Sequence, residues 1–276
     1  MELEQNRQRL AAEGWGLCSI SYDTVEILRN FAERRRITFP MLADPDSAII
    51  RRFGLFNDQI DPSSRDYGVP YPGTFLVDAG GVVRQKIMEE HYMHRMPVAT
   101  LLMRMGRTPP PVPAQGIRRL DYLEVHSSAT ETTLHAGNVF TMFVDIHPKP
   151  GVHVYAPGTR DYQGMHGVVE ENPYLKVRDV QYAPAETLTL PVLGEALPVY
   201  SHPVRVSIDA ALVSRQELQP LFDAGGTLEI HGSLRLQACD DRVCWPPQEV
   251  PLVWTFPLRP PDLDRPPDPI RHQPRG

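Results

Sequence analysis

Apolar positions along the chain follow two different rhythms. Through residue 106 the pattern switches between a helical period and short extended runs. "MELEQNRQRLAA" reads as a helix and "GWGLCSIS" as a short buried strand. "DTVEILRNFAERRR" predicts a helix with Asp23 as N-cap, Glu26 in the first turn, and Val25, Leu28, Phe31 and Ala32 along one face. "ITFPML" is extended. "DPDSAIIRRFG" predicts a helix capped by Asp44, with Pro45 at its first position and Gly54 closing it. "GTFLVD" and "VVRQKIM", joined by "AGG", predict a β-hairpin, and "PVATLLMRMG" a last helix. Strands interleaved with helices indicate an α/β layer structure for residues 1–106.

Residues 107–116, "RTPPPVPAQG", form a stiff Pro-rich linker. Beyond it the helical period vanishes and a period of two takes over. Phe140, Met142, Val144 and Ile146 alternate with polar or opposite-facing positions, as do Val204, Val206, Ile208 and Ala210. Leu228, Ile230, Leu234 and Leu236 fall on one face of their segment, and Val250, Leu252, Trp254, Phe256 and Leu258 on one face of the next. With Pro and Gly turns between, this predicts an antiparallel β-sandwich over residues 117–258. Residues 259–276 carry too few apolar side chains to repay ordering and read as a disordered Pro-rich tail.

With 276 residues and a hydrophobic fraction of 41%, the chain suffices for two ordinary domains with real cores. No apolar run approaches the roughly 20 residues that span a bilayer, so no membrane insertion is expected. The charged start "MELEQNRQRLAAEG" lacks the apolar stretch of a secretion signal, which leaves a cytoplasmic location open. A net charge of −6 with dispersed Lys and Arg argues against nucleic acid as a partner. The odd count of 3 cysteines leaves a thiol outside any bridge within the chain.

Cys239 and Cys244 stand in the connection between two well-patterned strands, at the expected exposed tip or shoulder of the sandwich. Three chemistries are open to them. Structural zinc takes about four Cys or His ligands, and no further Cys or His ligands lie beside the pair in sequence, so no metal is expected. A bridge stapling so short a loop would stabilise by only about 2 kcal/mol. The same shortness and exposure make a bridge open to thiol attack, the redox reading. Pro246 and Pro247 stiffen the loop; Asp240 and Asp241 disfavour a neighbouring thiolate, and Arg242 favours one. Cys18, inside "GLCSIS", reads as a buried small hydrophobe, and His91 and His94 in "EEHYMHR" as a solvated strand end. No dinucleotide fingerprint, P-loop or nucleophile elbow is present, and no cofactor is expected.

Two resemblances sharpen this picture. "PGVHVYAP", "PVLGEALPVYSHPVRVSID" and "LQACDDRVCWPPQEVPL" resemble, in order and spacing, the amino-terminal domain of the DsbD family of membrane reductant transporters, over about residues 118–258. The resemblance implies an immunoglobulin-like sandwich whose redox pair is Cys239 and Cys244, joined as a disulfide, and an oxidising periplasmic or other extracytoplasmic, bacterial setting. It places His153 and Tyr155 where the family has tyrosines beside the pair, and Leu193 in the loop that shields the bridge. This chain departs from the pattern at His153, at Pro191 and Val192 where acidic residues are expected, and in a shorter cysteine spacing. "GLCSISYD", "ITFPMLADPDSAIIRRFGL" and "YPGTFLVDAGGVV" are similar to redoxins of the alkyl hydroperoxide reductase/thiol-specific antioxidant (AhpC/TSA) type, over about residues 2–105. That likeness implies a thioredoxin-like fold and puts Pro72 at the position of a cis-proline. It also implies that the opening strand and the segment with the attacking cysteine precede "MELEQNRQRL", so Met1 is expected to be an internal methionine or a start assigned too far downstream.

The combined expectation is an N-terminally truncated thioredoxin-like domain plus an immunoglobulin-like sandwich, acting as an antioxidant thiol–disulfide oxidoreductase through Cys239 and Cys244. Its partners would be thioredoxin-like proteins, a membrane reductant transporter, or its own redoxin domain. Two alternatives stand beside it: an interaction module with a structural disulfide, and a peroxide-reducing redoxin whose catalytic cysteine lies outside this chain.

Overall fold

A computed structural model describes residues 2–64, 67–88, 97–104, 113–189, 196–260 and 266–270. The chain divides into two compact units, Met1–Val98 with Asp262–Gly276, and Ala99–Pro261.

The first unit runs α1 (Glu2–Gln5), α2 (Arg7–Ala12), β1 (Ser19–Ser21), α3 (Val25–Arg35), β2 (Met41–Ala43), α4 (Ala48–Arg52), β3 (Gly73–Val77) and β4 (Val83–Met88). β1 and β2 pair in parallel, while β3 and β4 form the expected antiparallel hairpin. The cap of α3 is Thr24, not Asp23. The Asp23 carboxylate is engaged by the Ser21 hydroxyl, and Thr24, in extended backbone, accepts from Ile27 N at 3.4 Å. Ile27 and Leu28 of α3 are buried, and Val25 is 59% exposed. α4 starts at Ala48 and not at Pro45, because Pro45 and Asp46 belong to a turn closed by Ser47 N–H donating to Asp44 O at 2.8 Å. Asp44 still serves the helix, accepting from Ile50 N at 2.8 Å. Gly54, at φ 69°, closes α4 as expected.

Two further expectations for this unit are corrected. Cys18 is exposed: it precedes the short β1, whose only described neighbour is β2, and Ile20 in that strand is itself 38% exposed. The peptide before Pro72 is trans, as are all described peptide bonds. Tyr71 N–H donates to Leu55 O at 2.8 Å and Gly73 already pairs with Met88, which carries the chain through Pro72 in extended form.

α5 (Val98–Arg104) falls almost wholly in the second unit, where Thr100 Oγ1 lies 3.1 Å from Thr130 Oγ1. The strands follow: β5 (Gly116–Arg119), β6 (Leu123–Ala129), β7 (Leu134–His135), β8 (Val139–Pro148), β9 (His153–Tyr155), β10 (His166–Val169), β11 (Leu175–Tyr182), β12 (Glu186–Thr189), β13 (Ala196–Tyr200) and β14 (Val204–Leu212). After α6 (Arg215–Asp223) come β15 (Thr227–Leu236), β16 (Ala238–Cys239) and β17 (Gln248–Arg259). α6 corrects the strand-only expectation for this half. Ser214 and Glu217 form a capping box, and Leu218 is buried beneath it.

One sheet has the order β11-β14-β8-β6-β5 and a second β10-β15-β17-β7. The period-two residues meet in a single core: Phe140, Met142, Val144 and Ile146 of β8 with Ile208 of β14, and Leu228, Ile230, Trp254 and Phe256 from β15 and β17. Phe140 and Phe256 meet edge to face with centroids 5.3 Å apart. Trp254 Nε1 donates to Ser128 O at 2.9 Å, which ties β17 to β6 across the core and satisfies the indole in a dry setting. A third sheet, β12-β13-β9-β16, carries the cysteine pair.

Candidate functional site

β16 is two residues long because Cys239 leads straight into a tight turn. Asp240 N–H donates to Val243 O at 2.8 Å, and Trp245 N–H to Ala238 O at 3.0 Å. Between these two hydrogen-bonded pairs, Cys239 and Cys244 face each other at a non-hydrogen-bonded position, where opposed Cα atoms approach most closely. Their Cα atoms are 4.1 Å apart and the sulfurs are bonded, with a sequence separation of 5. Sequence reasoning placed the pair in an exposed connection, but only half of it is. Cys244 is exposed, whereas Cys239 retains 1% of its surface. The difference follows from pairing: Cys239 is also hydrogen-bonded into the sheet opposite His153, while Cys244 lies on the outer arm.

The turn is held by Asp240. Its Oδ1 accepts from Arg242 N at 2.7 Å and from Val243 N at 2.6 Å. The Arg242 and Val243 amides hold the Asp240 carboxyl below the usual aspartate value, so it stays ionised. Asp241 and Arg242 are exposed on the turn. The return arm is anchored by Trp245, whose indole stacks on Tyr122 with centroids 4.4 Å apart and planes at 20°.

β9 presents His153 and Tyr155 to the same face as Cys239, since alternate residues of a strand share a face. Tyr155 is fully buried, and its hydroxyl lies 3.1 Å from Cys239 Sγ and 4.0 Å from Cys244 Sγ. Burial first, then the neighbouring Tyr162, pushes the Tyr155 phenol up to about 12, so it remains a hydrogen-bond donor at neutral pH. Tyr162 stacks on Tyr155 with centroids 4.2 Å apart. His153 meets Tyr155 edge to face at 5.5 Å. Burial pushes the His153 imidazole below the ordinary histidine value, against the opposing pull of Asp241 and Asp240.

Val199 completes the small cluster around Tyr155 and Cys239, with Tyr162, Leu188 and Leu197 packed against it. Leu188 and Leu197 are cross-strand partners in the β12–β13 hairpin. The structure thus brings together Cys239, Cys244, His153, Tyr155, Asp240, Asp241 and Arg242. Leu193 lies outside the described residues, as do His91 and His94. Pro72 belongs to the other unit. Sequence reasoning missed Tyr162, Val199, Trp245 and the Leu188–Leu197 pair. The aromatic character of Tyr162 and Trp245 was a visible signal; their stacking partners were not. Among the described residues, no group of His, Cys, Asp and Glu side chains could hold a metal ion.

Residues 1–86 match the AhpC/TSA family. Over 96 residues the chain is 27% identical to a protein of Haemophilus influenzae named "Putative peroxiredoxin bcp", a match covering 33% of this chain and 61% of that one. The chain therefore spans about three fifths of that relative. Among solved structures, it is similar to the DsbD N-terminal domain of Neisseria meningitidis in its reduced form, at 15% identity and a TM-score of 0.31, over 48% of this chain and 87% of that one. It is also similar to the N-terminal periplasmic domain of ScsB from Proteus mirabilis, at 14% identity and a TM-score of 0.34, over 53% and 52%. The redoxin resemblance of the amino-terminal part and the DsbD resemblance are thus both found again by comparison.

Proposed function

We propose that the Cys239–Cys244 bridge is a redox-active disulfide that takes electrons from a dithiol protein. The observation that carries this reading is the unequal exposure of the two cysteines, Cys239 buried and Cys244 exposed. A thiolate must approach along the S–S axis, and of the two cysteines the exposed Cys244 is the one it can reach. The donor thiolate bonds to Cys244 Sγ, the S–S bond breaks, and Cys239 leaves with the electron pair as a thiolate. The Tyr155 O–H, already 3.1 Å from that sulfur, donates to it. The donor's second thiolate then attacks its own sulfur in the mixed disulfide and releases Cys244, which takes up a proton. The donor ends oxidised by two electrons and the bridge reduced by two.

In this reading residues 117–258 form an immunoglobulin-like sandwich, and the redoxin-like domain ends near Val98, at the start of α5. The DsbD resemblance supports a thioredoxin-like protein or a membrane reductant transporter as partner, in an extracytoplasmic compartment where such bridges persist. The test is single-cysteine reactivity. In Cys239→Ser, Cys244 should form a mixed disulfide with oxidised glutathione at least about tenfold faster than Cys239 does in Cys244→Ser. Equal rates, or no reaction at Cys244, would contradict the reading. A second reading, peroxide reduction at Cys18, is favoured by the exposure of that thiol. Loss of peroxide turnover in Cys18→Ser with the other pair intact would support it, and unchanged turnover would remove it.

A further inference from the structure

Reducing the bridge creates a problem that the oxidised structure hides. Cys239 Sγ becomes an anion where the residue retains 1% of its surface, and a buried charge without compensation is costly. Tyr155 supplies one hydrogen bond. Asp240 and Asp241, on the turn that follows the sulfur, oppose a second negative charge. Arg242 is exposed at the tip and its attraction acts on Asp240. Tyr155, Val199, Tyr162, Leu188 and Leu197, which pack around the sulfur, include no base.

His153 is the exception. It is the cross-strand partner of Cys239, on the shared face of the sheet, where Cβ atoms stand about 5 Å apart. It is 4% exposed, and its Nε2 is buried without a hydrogen-bond partner. An orphaned buried nitrogen of this kind calls for an explanation.

We propose that His153 is the proton-holding partner of Cys239, taking up a proton when the bridge is reduced so that the buried thiolate sits beside an imidazolium. This rests on the redox reading above and deepens it. The overall step balances. A donor dithiol gives two electrons and two protons and becomes a disulfide; one proton goes to the Cys244 thiol, and the other to His153, leaving Cys239 as thiolate. The carboxylates of Asp240 and Asp241, unfavourable to the sulfur anion alone, favour the imidazolium, so the turn and the histidine act as one unit. In the oxidised protein burial keeps the imidazole neutral, which leaves the site vacant for that proton. The other titratable groups facing this position are Tyr162 and Tyr155, whose phenol burial pushes up to about 12.

The test uses the full chain in a Cys18→Ser background, reduced with dithiothreitol, following thiolate absorbance near 240 nm against pH. His153→Phe keeps the volume and removes the base; His153→Gln keeps a donor that does not titrate. The parent protein should retain thiolate at pH 6, and His153→Phe should lower that fraction about tenfold, with His153→Gln between them. As a check that does not depend on either variant folding, the His153 ring in the parent protein should titrate at least about one pH unit higher in the reduced than in the oxidised state by NMR. Superimposable thiolate curves in all three proteins, or an unchanged His153 titration, would overturn the proposal while leaving the exchange chemistry intact. Failure of dithiothreitol to reduce the folded protein at all would instead overturn the redox reading, and this inference with it.

Discussion

The phenol of Tyr155 differs in its value to the two redox states. It touches Cys239 Sγ at 3.1 Å in the bridged form, but a hydrogen bond to a thiolate is about twice as strong as one to a neutral sulfur. Tyr155→Phe should therefore destabilise the reduced form selectively. Its midpoint potential is predicted to move about 15–30 mV more negative, because roughly half of the 1.5–3 kcal/mol of a hydrogen bond to a charged group is already present in the bridged form. Redox-buffer equilibration measures this, and an unchanged potential would count against the leaving-group role. Asp240 acts on the shape of the turn. Its folded value is depressed, so the stability it gives is present above the ordinary aspartate range and is lost as pH falls through the depressed value. Protection of the Arg242 and Val243 amides, relative to their intrinsic exchange rates, should fall about tenfold or more in Asp240→Ala at neutral pH, and in the parent protein only as pH falls below the ordinary aspartate range. Exchange that ignores both changes would remove Asp240 from this role. The sequence displayed both residues, and Asp240 in a turn was legible from its type. The sulfur contact was not, because it depends on β9 pairing with β16.

The cysteine hairpin is a β-element whose two arms are held in different ways. One arm joins the sheet beside β9, and the other is pinned by Trp245 on Tyr122. Trp245→Ala should cost about 2 kcal/mol, less than a fully buried tryptophan because the ring is only half-buried. It should also free Cys244 to move. Denaturant unfolding measures the first effect and the rate of alkylation of reduced Cys244 the second; a neutral substitution would mean that the stack does not hold the arm. The long strands of this unit were legible from alternation, since a half-buried face imposes a period of two. Helix α6 was not read, although its "SRQE" start carries the capping box, because Pro220 and a short apolar stripe mask the helical period. On α3 the expected face holds at Leu28 and fails at Val25, which is exposed, while Ile27 beside it is buried.

At the scale of the molecule, the two units differ in how much of each the sequence disclosed. The second unit closes its core around Trp254 and Phe140, and its alternating strands announced that core. The first leaves Ile20, Leu42, Phe53 and Val77 substantially exposed, which hydrophobic patterning cannot foresee because it identifies apolar faces and not what covers them. The bridge lies outside the main core, in a small cluster with Tyr155 and Val199. Its reduction should therefore leave the fold standing, with a loss of less than about 2 kcal/mol for so short a loop. Thermal unfolding with and without dithiothreitol tests this; a collapse of structure on reduction would mark the bridge as a brace. The most direct test of the central claim is the equilibrium reduction potential of Cys239–Cys244, read by acid-quenched alkylation and mass spectrometry across a dithiol redox buffer. An exchanging bridge should poise above about −300 mV, within reach of thiol carriers, and a value below that would show a structural disulfide instead.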